Sequence, residues 1–247
     1  MILVANGCSH TAGAELEYPQ QGQCYEKAWP QHLANSLGYD HMNLSMSGAS
    51  NHRVVRTTLE YIHTHFIDNK RDLKDLFFVI LWPGIFRTEI YDGSGEGKNQ
   101  FYDNNWCPLV VGNDSQYKEV LNYSDYAYYQ SWVTTTDKHQ HLIDFQMSVI
   151  LLQTLFQKYG IKYIFWNASK SVIERRPEFS PYALHINPKR YPKMYEPSYC
   201  FTELCLKSNQ KIAQPSIDSG FSSHYDENAQ IWFADFLKNY IIRNNLS

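Results

Sequence analysis

The chain has 247 residues, 43% of them apolar and 19% charged, with a formal net charge of −3. That balance supplies enough apolar side chain for a sizeable core, and it excludes general disorder and a strongly basic nucleic-acid-binding surface. Its apolar runs fall well short of the roughly 20 residues that cross a bilayer, so no membrane-spanning protein is expected.

Residues 2–5 form an apolar run closed by Asn6 and Gly7. Apolar on both faces, it reads as a central parallel strand, and with no basic leader ahead of it a cytosolic protein is expected. Residues 25–37 bring Ala28, Trp29, Leu33, Ala34 and Leu37 to helical spacing and stop at Gly38. Residues 41–44 read as a second strand. Ser50 or Asn51 then caps a helix to about residue 67, with Val54, Val55, Leu59, Ile62 and Phe66 on one face. Residues 76–82, Leu-Phe-Phe-Val-Ile-Leu-Trp, give the strongest strand signal and end at Pro83-Gly84.

The stretch from 91 to 138, rich in Gly, Asn and Tyr, reads as a long insertion in a single domain spanning 1–247, with short helices near 123–132. Long insertions of this kind serve as lids or binding loops. A helix over 142–159, stopped by Gly160, and a strand over 161–166 follow. Residues 171–200 carry five prolines and read as loop, and a helix over 226–242 closes the chain. Strands and helices therefore alternate. This predicts a three-layer α/β/α domain on a mostly parallel, flavodoxin-like sheet, with ligands at the carboxyl ends of the strands.

Cysteines stand at 8, 24, 107, 200 and 205, with no Cys-x-x-Cys pair. Neither a disulfide framework nor a zinc knuckle fits, and free thiols are expected. His63/His65 and His139/His141 are two residues apart, a spacing that does not share a helix face, so no metal site is expected there. No Walker loop or Gly-x-Gly-x-x-Gly follows the first strand, and no cofactor is expected.

Three segments carry candidate chemistry. Asn6-Gly7-Cys8-Ser9-His10-Thr11-Ala12-Gly13 sets a serine in a glycine-flanked turn after the first strand. Its hydroxyl is a nucleophile if a histidine approaches from elsewhere, and otherwise the residue simply turns the chain. Gly48, in the stretch from Asn43 to Asn51, either faces an anion with its N–H or is a plain loop glycine. Ser222-Ser223-His224-Tyr225-Asp226, just before the last helix, offers an imidazole able to swing over the sheet edge.

In this order of serine, glycine and histidine the sequence resembles the SGNH hydrolase superfamily, the GDSL-like esterases. Gly7-Cys8-Ser9-His10 is similar to the first block, with Ser9 in the nucleophile's place and Cys8 where Asp usually stands. Asn43 to Asn51 is similar to the second, with Gly48 in the place of the oxyanion-hole glycine, and the region of His224 is similar to the last. The phrase from Gly7 to Gly13, with Glu15 soon after, also resembles SGNH-like proteins of phage genomes, which implies a virion or host-cytoplasm location.

The resemblance implies a Ser–His mechanism through an acyl-enzyme, acting on a small-molecule or carbohydrate ester and on neither nucleic acid nor membrane. The abundance of Tyr and Trp points to an O-acetyl carbohydrate. The alternatives are acyl transfer by the same residues, Cys8 as nucleophile, and a degenerate, non-catalytic SGNH-like module that binds a glycan or a protein partner.

The sequence departs from the family pattern twice. The asparagine of the third block is missing, and Arg87 is the candidate to replace its donor, against a structural ion pair with Glu89. The family's aspartate three residues before the histidine is here Phe221. Asp218 is favoured to orient His224, with Asp226 or a backbone carbonyl as the alternatives. His10 and Asn51 are assigned to the substrate pocket. Glu15, Glu17 and the basic run 187–193 read as solvated loop.

Overall fold

A computed structural model describes residues 1–16, 23–91, 105–170, 181–192, 194, 196–213 and 224–246. Among the described residues the strands are β1 (Ile2–Gly7), β2 (Asp40–Asn43), β3 (Leu76–Trp82), β4 (Arg87–Tyr91), β5 (Trp106–Val110) and β6 (Lys162–Asn167). The helices are α1 (Ser9–Ala12), α2 (Trp29–Leu37), α3 (Asn51–Ile62), α4 (Asp114–Val120), α5 (Tyr123–Thr135), α6 (Lys138–Tyr159), α7 (Phe201–Lys207) and α8 (Glu227–Arg243). β2, β1, β3 and β6 form a parallel sheet in that order, and β4 and β5 make a separate antiparallel pair.

Every residue of β3 is buried. Successive side chains of a strand point to opposite faces, so β3 feeds two cores. Leu76, Phe78, Ile80 and Trp82 join Val4 and Phe165 in the layer that includes residues of α3 and α6. Phe77, Val79 and Leu81 join Leu3, Ala5, Ile164 and Trp166 in the layer that includes residues of α2 and α8. This is the expected three-layer α/β architecture, with the strand order of the flavodoxin-like type. Cys107, Leu109, Tyr117, Leu121, Tyr129 and Trp132 form a third, smaller core between β5, α4 and α5.

The structure differs from the sequence expectations where local signals compete. Residues 25–27 make a 3-10 turn, and α2 starts only at Trp29, with Pro30 in its first turn, where a missing N–H costs nothing. Arg190, within the basic run, is not solvated loop. The Arg190 carbonyl accepts from Phe165 N at 2.7 Å, and the Arg190 guanidinium donates to the carbonyls of Tyr163 and Leu246 at 3.0 and 3.1 Å. Arg190 thus covers part of the open edge of β6, the kind of edge that otherwise invites pairing with another chain.

Candidate functional site

The carboxyl end of β1 is tied down before it turns. Asn6 is fully buried. Its amide donates to Val54 O, Thr57 Oγ1 and Thr58 Oγ1 at 3.1, 2.9 and 3.0 Å, and its Oδ1 accepts from Gly7 N at 2.9 Å. At Gly7 a side chain has no room: a Cβ would lie 2.7 Å from the Leu81 carbonyl oxygen and closer still to Thr11 Oγ1. The turn that follows is closed by its own backbone. Cys8 O accepts from Thr11 N and Ala12 N at 2.9 and 3.0 Å, and Ser9 O accepts from Ala14 N at 3.1 Å. Ser9, half-buried, thus stands on a fixed turn at the carboxyl edge of the sheet. Cys8 is 1% exposed and packs into the core with Ala5 and Leu3. None of the five cysteines is in a disulfide, and all five are buried.

The loop after β2 is fastened to this turn, since Asn43 Nδ2 donates to Thr11 O at 2.8 Å. Gly48 has a φ of +76°, a left-handed conformation that favours glycine. Arg87 opens β4 and donates from Nη1 to Ala49 O at 3.3 Å, so the start of the hairpin meets the Gly48 loop. The Arg87–Glu89 pair does not form. Glu89 is gripped by the fork of Arg56 from α3, with Nε and Nη2 both at 3.0 Å, a bidentate geometry that a neighbour on the same strand cannot match. Arg56 also lies 4.6 Å over the Trp106 ring, which fastens the hairpin to α3.

Asn51, the first residue of α3, is 6% exposed and its Oδ1 has no hydrogen-bond partner among the described residues. With Arg87, Thr88, Tyr128, Trp132 and His141 it walls a cavity of about 240 Å³.

The other end of the chain reaches the same edge. His224 is held by a short antiparallel pairing: Ala213 N donates to His224 O and Asp226 N to Lys211 O, both at 2.9 Å. Its ring centre lies 4.9 Å from that of His10, which in turn packs 5.1 Å from Phe201. Adjacent to Ser9, His10 therefore turns inward and is 9% exposed. Burial first, then the charges of His224 and Arg87, hold the His10 imidazole well below its ordinary value of 6.5, so it is neutral at neutral pH. Nδ1 of His224 lies 3.1 Å from Glu15 Oε2, an ion-pair distance that does not have hydrogen-bond geometry.

Glu15 is thus not a solvated acid, and Asp226 is occupied elsewhere. The Asp226 side chain accepts from Ala229 N at 3.0 Å and caps α8, as its place ahead of the helix dictates. Asp218 and Glu17 lie outside the described residues. The sequence does contain a signal for Glu15. Gly13 stops α1 two residues earlier, which ends the helix before Glu15 and lets the chain turn. Among the described residues no three His, Cys, Asp or Glu side chains group to hold a metal, and no helix is long and apolar enough to cross a membrane.

Residues 17–188 match DUF6071, a family of unknown function, and the chain belongs to that family. The match takes in Gly48, Asn51 and Arg87 and leaves out Ser9, Glu15 and His224. No curated protein matches the sequence. Among solved structures the chain is similar to a G-D-S-L-family protein from Desulfitobacterium hafniense DCB-2, at 13% identity over 97% of this chain and 98% of that one, with a TM-score of 0.43. It is similar to the psychrotrophic esterase EstA from Pseudoalteromonas sp., at 11% identity, 98% and 97% coverage and a TM-score of 0.42. It is also similar to the acetyl xylan esterase Est2A from Butyrivibrio proteoclasticus, at 11% identity and a TM-score of 0.47, where the match covers 99% of this chain and 64% of that one.

Proposed function

We propose that the protein is a serine hydrolase of the SGNH type that cleaves an ester of a small acyl group. The observation that carries this reading is the meeting of His224 with the serine turn. Two segments from opposite ends of the chain bring an imidazole to within 4.9 Å of the ring next to Ser9.

In this reading Ser9 Oγ attacks the acyl carbon. His224, with Nδ1 toward Glu15, takes the proton on Nε2 and passes it to the departing alkoxide. The backbone N–H groups of Ser9 and Gly48 receive the tetrahedral oxyanion. Arg87, anchored on the Ala49 carbonyl, supplies the donor that the asparagine of the third block supplies in the family pattern. Water, deprotonated by the same imidazole, then cleaves the acyl-enzyme.

His10 serves by staying neutral. A second cation at 4.9 Å from the His224 ring would oppose the imidazolium of the transition state by about 3 kcal/mol at an effective dielectric of about 20. The cavity beside Arg87 favours an O-acetyl sugar, since Tyr128 and Trp132 offer ring faces next to the polar groups of Asn51, Thr88 and Thr136.

Hydrolysis of p-nitrophenyl acetate tests the assignment. Ser9→Ala and His224→Ala should each lower kcat by at least about a thousandfold. Undiminished turnover by Ser9→Ala would overturn it.

A further inference from the structure

We propose that Glu15 is the positioning carboxylate of the Ser9–His224 pair, in the role that the SGNH pattern gives to an acid three residues ahead of the histidine. The inference rests on the hydrolase reading and adds to it the source of the third group. The first observation is the contact itself, with Glu15 Oε2 3.1 Å from His224 Nδ1. The Glu15 side chain is 26% exposed and that of His224 14%. A pair so shielded is screened less than a surface ion pair.

The second observation is the backbone. Glu15 has a φ of +64°, a left-handed conformation that costs a residue with a Cβ about 1 kcal/mol or more. Glycine would sit there without strain, yet the position carries a long acid aimed at an imidazole. The two residues ahead of Glu15 are fastened. Ala14 bridges Gln23 across the return of the chain, Cys24 N donates to Gly13 O at 3.1 Å, and Ala14 N donates to Ser9 O at 3.1 Å.

The third observation removes two of the rival positions, while Asp218 lies outside the described residues. The position three before His224 is Phe221, which has no acid to offer, and Asp226 is spent on the cap of α8. Nucleophile and acid thus sit on one short turn, with their spacing fixed by its backbone bonds, and only the base arrives from a distance. Among the described residues, Glu15 and, from α1, the neutral His10 face His224, and the charge of Arg87 also acts on His10. A hydrogen bond closed across that distance would fix the proton on Nδ1 and leave Nε2 as the base for the serine.

The experiment uses the full chain with ¹⁵N-labelled histidine. His224 Nδ1–H should give a low-field proton signal, identified by its loss in His224→Gln. Glu15→Gln should remove or shift it, while Ser9→Ala retains it. With p-nitrophenyl acetate, Glu15→Gln should lower kcat about 10²–10⁴-fold with KM within about threefold. Glu15→Gly should lose the same activity with no loss of melting temperature, because it releases the left-handed strain. A signal and kcat unmoved by Glu15→Gln would overturn the proposal, as would their loss in Asp218→Asn instead. Activity surviving in Ser9→Ala would overturn the hydrolase reading, and the proton signal would then decide the Glu15–His224 pair by itself.

Discussion

Arg87 stands at the junction of the hairpin and the Gly48 loop, and its anchor is a backbone carbonyl rather than a carboxylate. A guanidinium held by a neutral acceptor keeps its full charge for a developing oxyanion, whereas one locked to Glu89 would not. Arg87→Met is therefore expected to lower kcat on p-nitrophenyl acetate about a hundredfold, the usual cost of losing one oxyanion donor. Arg87→Lys should restore part of the loss. Equal rates in all three proteins would remove Arg87 from the mechanism.

His10 gives a pH dependence whose sign follows from its burial. Its folded-state pKa lies below 6.5, so on acidification the unfolded chain takes up the proton first. The stability tied to a neutral His10 is complete above about pH 6.5 and is lost as pH falls toward the lower folded value. His41 and His141, both lowered chiefly by burial, act in the same direction. The melting temperature should fall between about pH 7.5 and about pH 5.5, and the slope should be shallower in His10→Phe. A melting temperature that is flat or rises on acidification would contradict this.

At the scale of elements, the site depends on how β1 ends and how the hairpin is attached. Gly7→Ala would drive a Cβ into the Leu81 carbonyl, backbone that cannot move without opening the contact between β1 and β3. A loss of about 2–3 kcal/mol is expected in denaturant unfolding, and a loss below about 0.5 kcal/mol would show that the turn yields. Arg56→Ala removes the partner of Glu89, whose side chain is 4% exposed. Leaving a buried carboxylate unpaired costs about 3–5 kcal/mol, so this variant should also lose stability in denaturant unfolding. An unchanged midpoint would mean that the hairpin is held by other contacts.

The elements themselves were readable to different degrees. β3 announced itself through seven consecutive apolar residues, because a strand covered on both faces needs no polar side. Ser50 or Asn51 was readable as a cap, and Ser50 is the one, whereas Asp226, expected as the first residue of the last helix, is its cap. The β4–β5 pair was not readable. Its strands are five residues each, and Pro108 interrupts the second, which is a poor strand signal. α7 was hidden behind the proline-rich stretch that precedes it, and it has no side-chain cap to mark its start.

For the whole molecule, the alternation of strands and helices was enough to give the layers and the parallel sheet, since parallel strands need crossovers and crossovers put helices on both faces. It was also enough to direct attention to the carboxyl edge, where Ser9, Gly48 and Arg87 sit in the structure. Long-range partners were another matter. The Glu15–His224 contact joins segments far apart in the chain, and beyond Gly13, which stops α1 just ahead of Glu15, no local mark gives it away. Arg190 binding the Tyr163 and Leu246 carbonyls is of the same kind. A basic run on a loop looks solvated until the edge of β6 is seen to need cover.

The central claim is that Ser9 is an activated hydroxyl, made so by an imidazole from the far end of the chain. Covalent labelling with a fluorophosphonate, read as intact mass and then as the modified peptide, tests it most directly. One adduct on the peptide containing Ser9, absent in Ser9→Ala and in His224→Ala, is the predicted result. A chain that stays unlabelled, or is labelled equally in the His224→Ala variant, would contradict it.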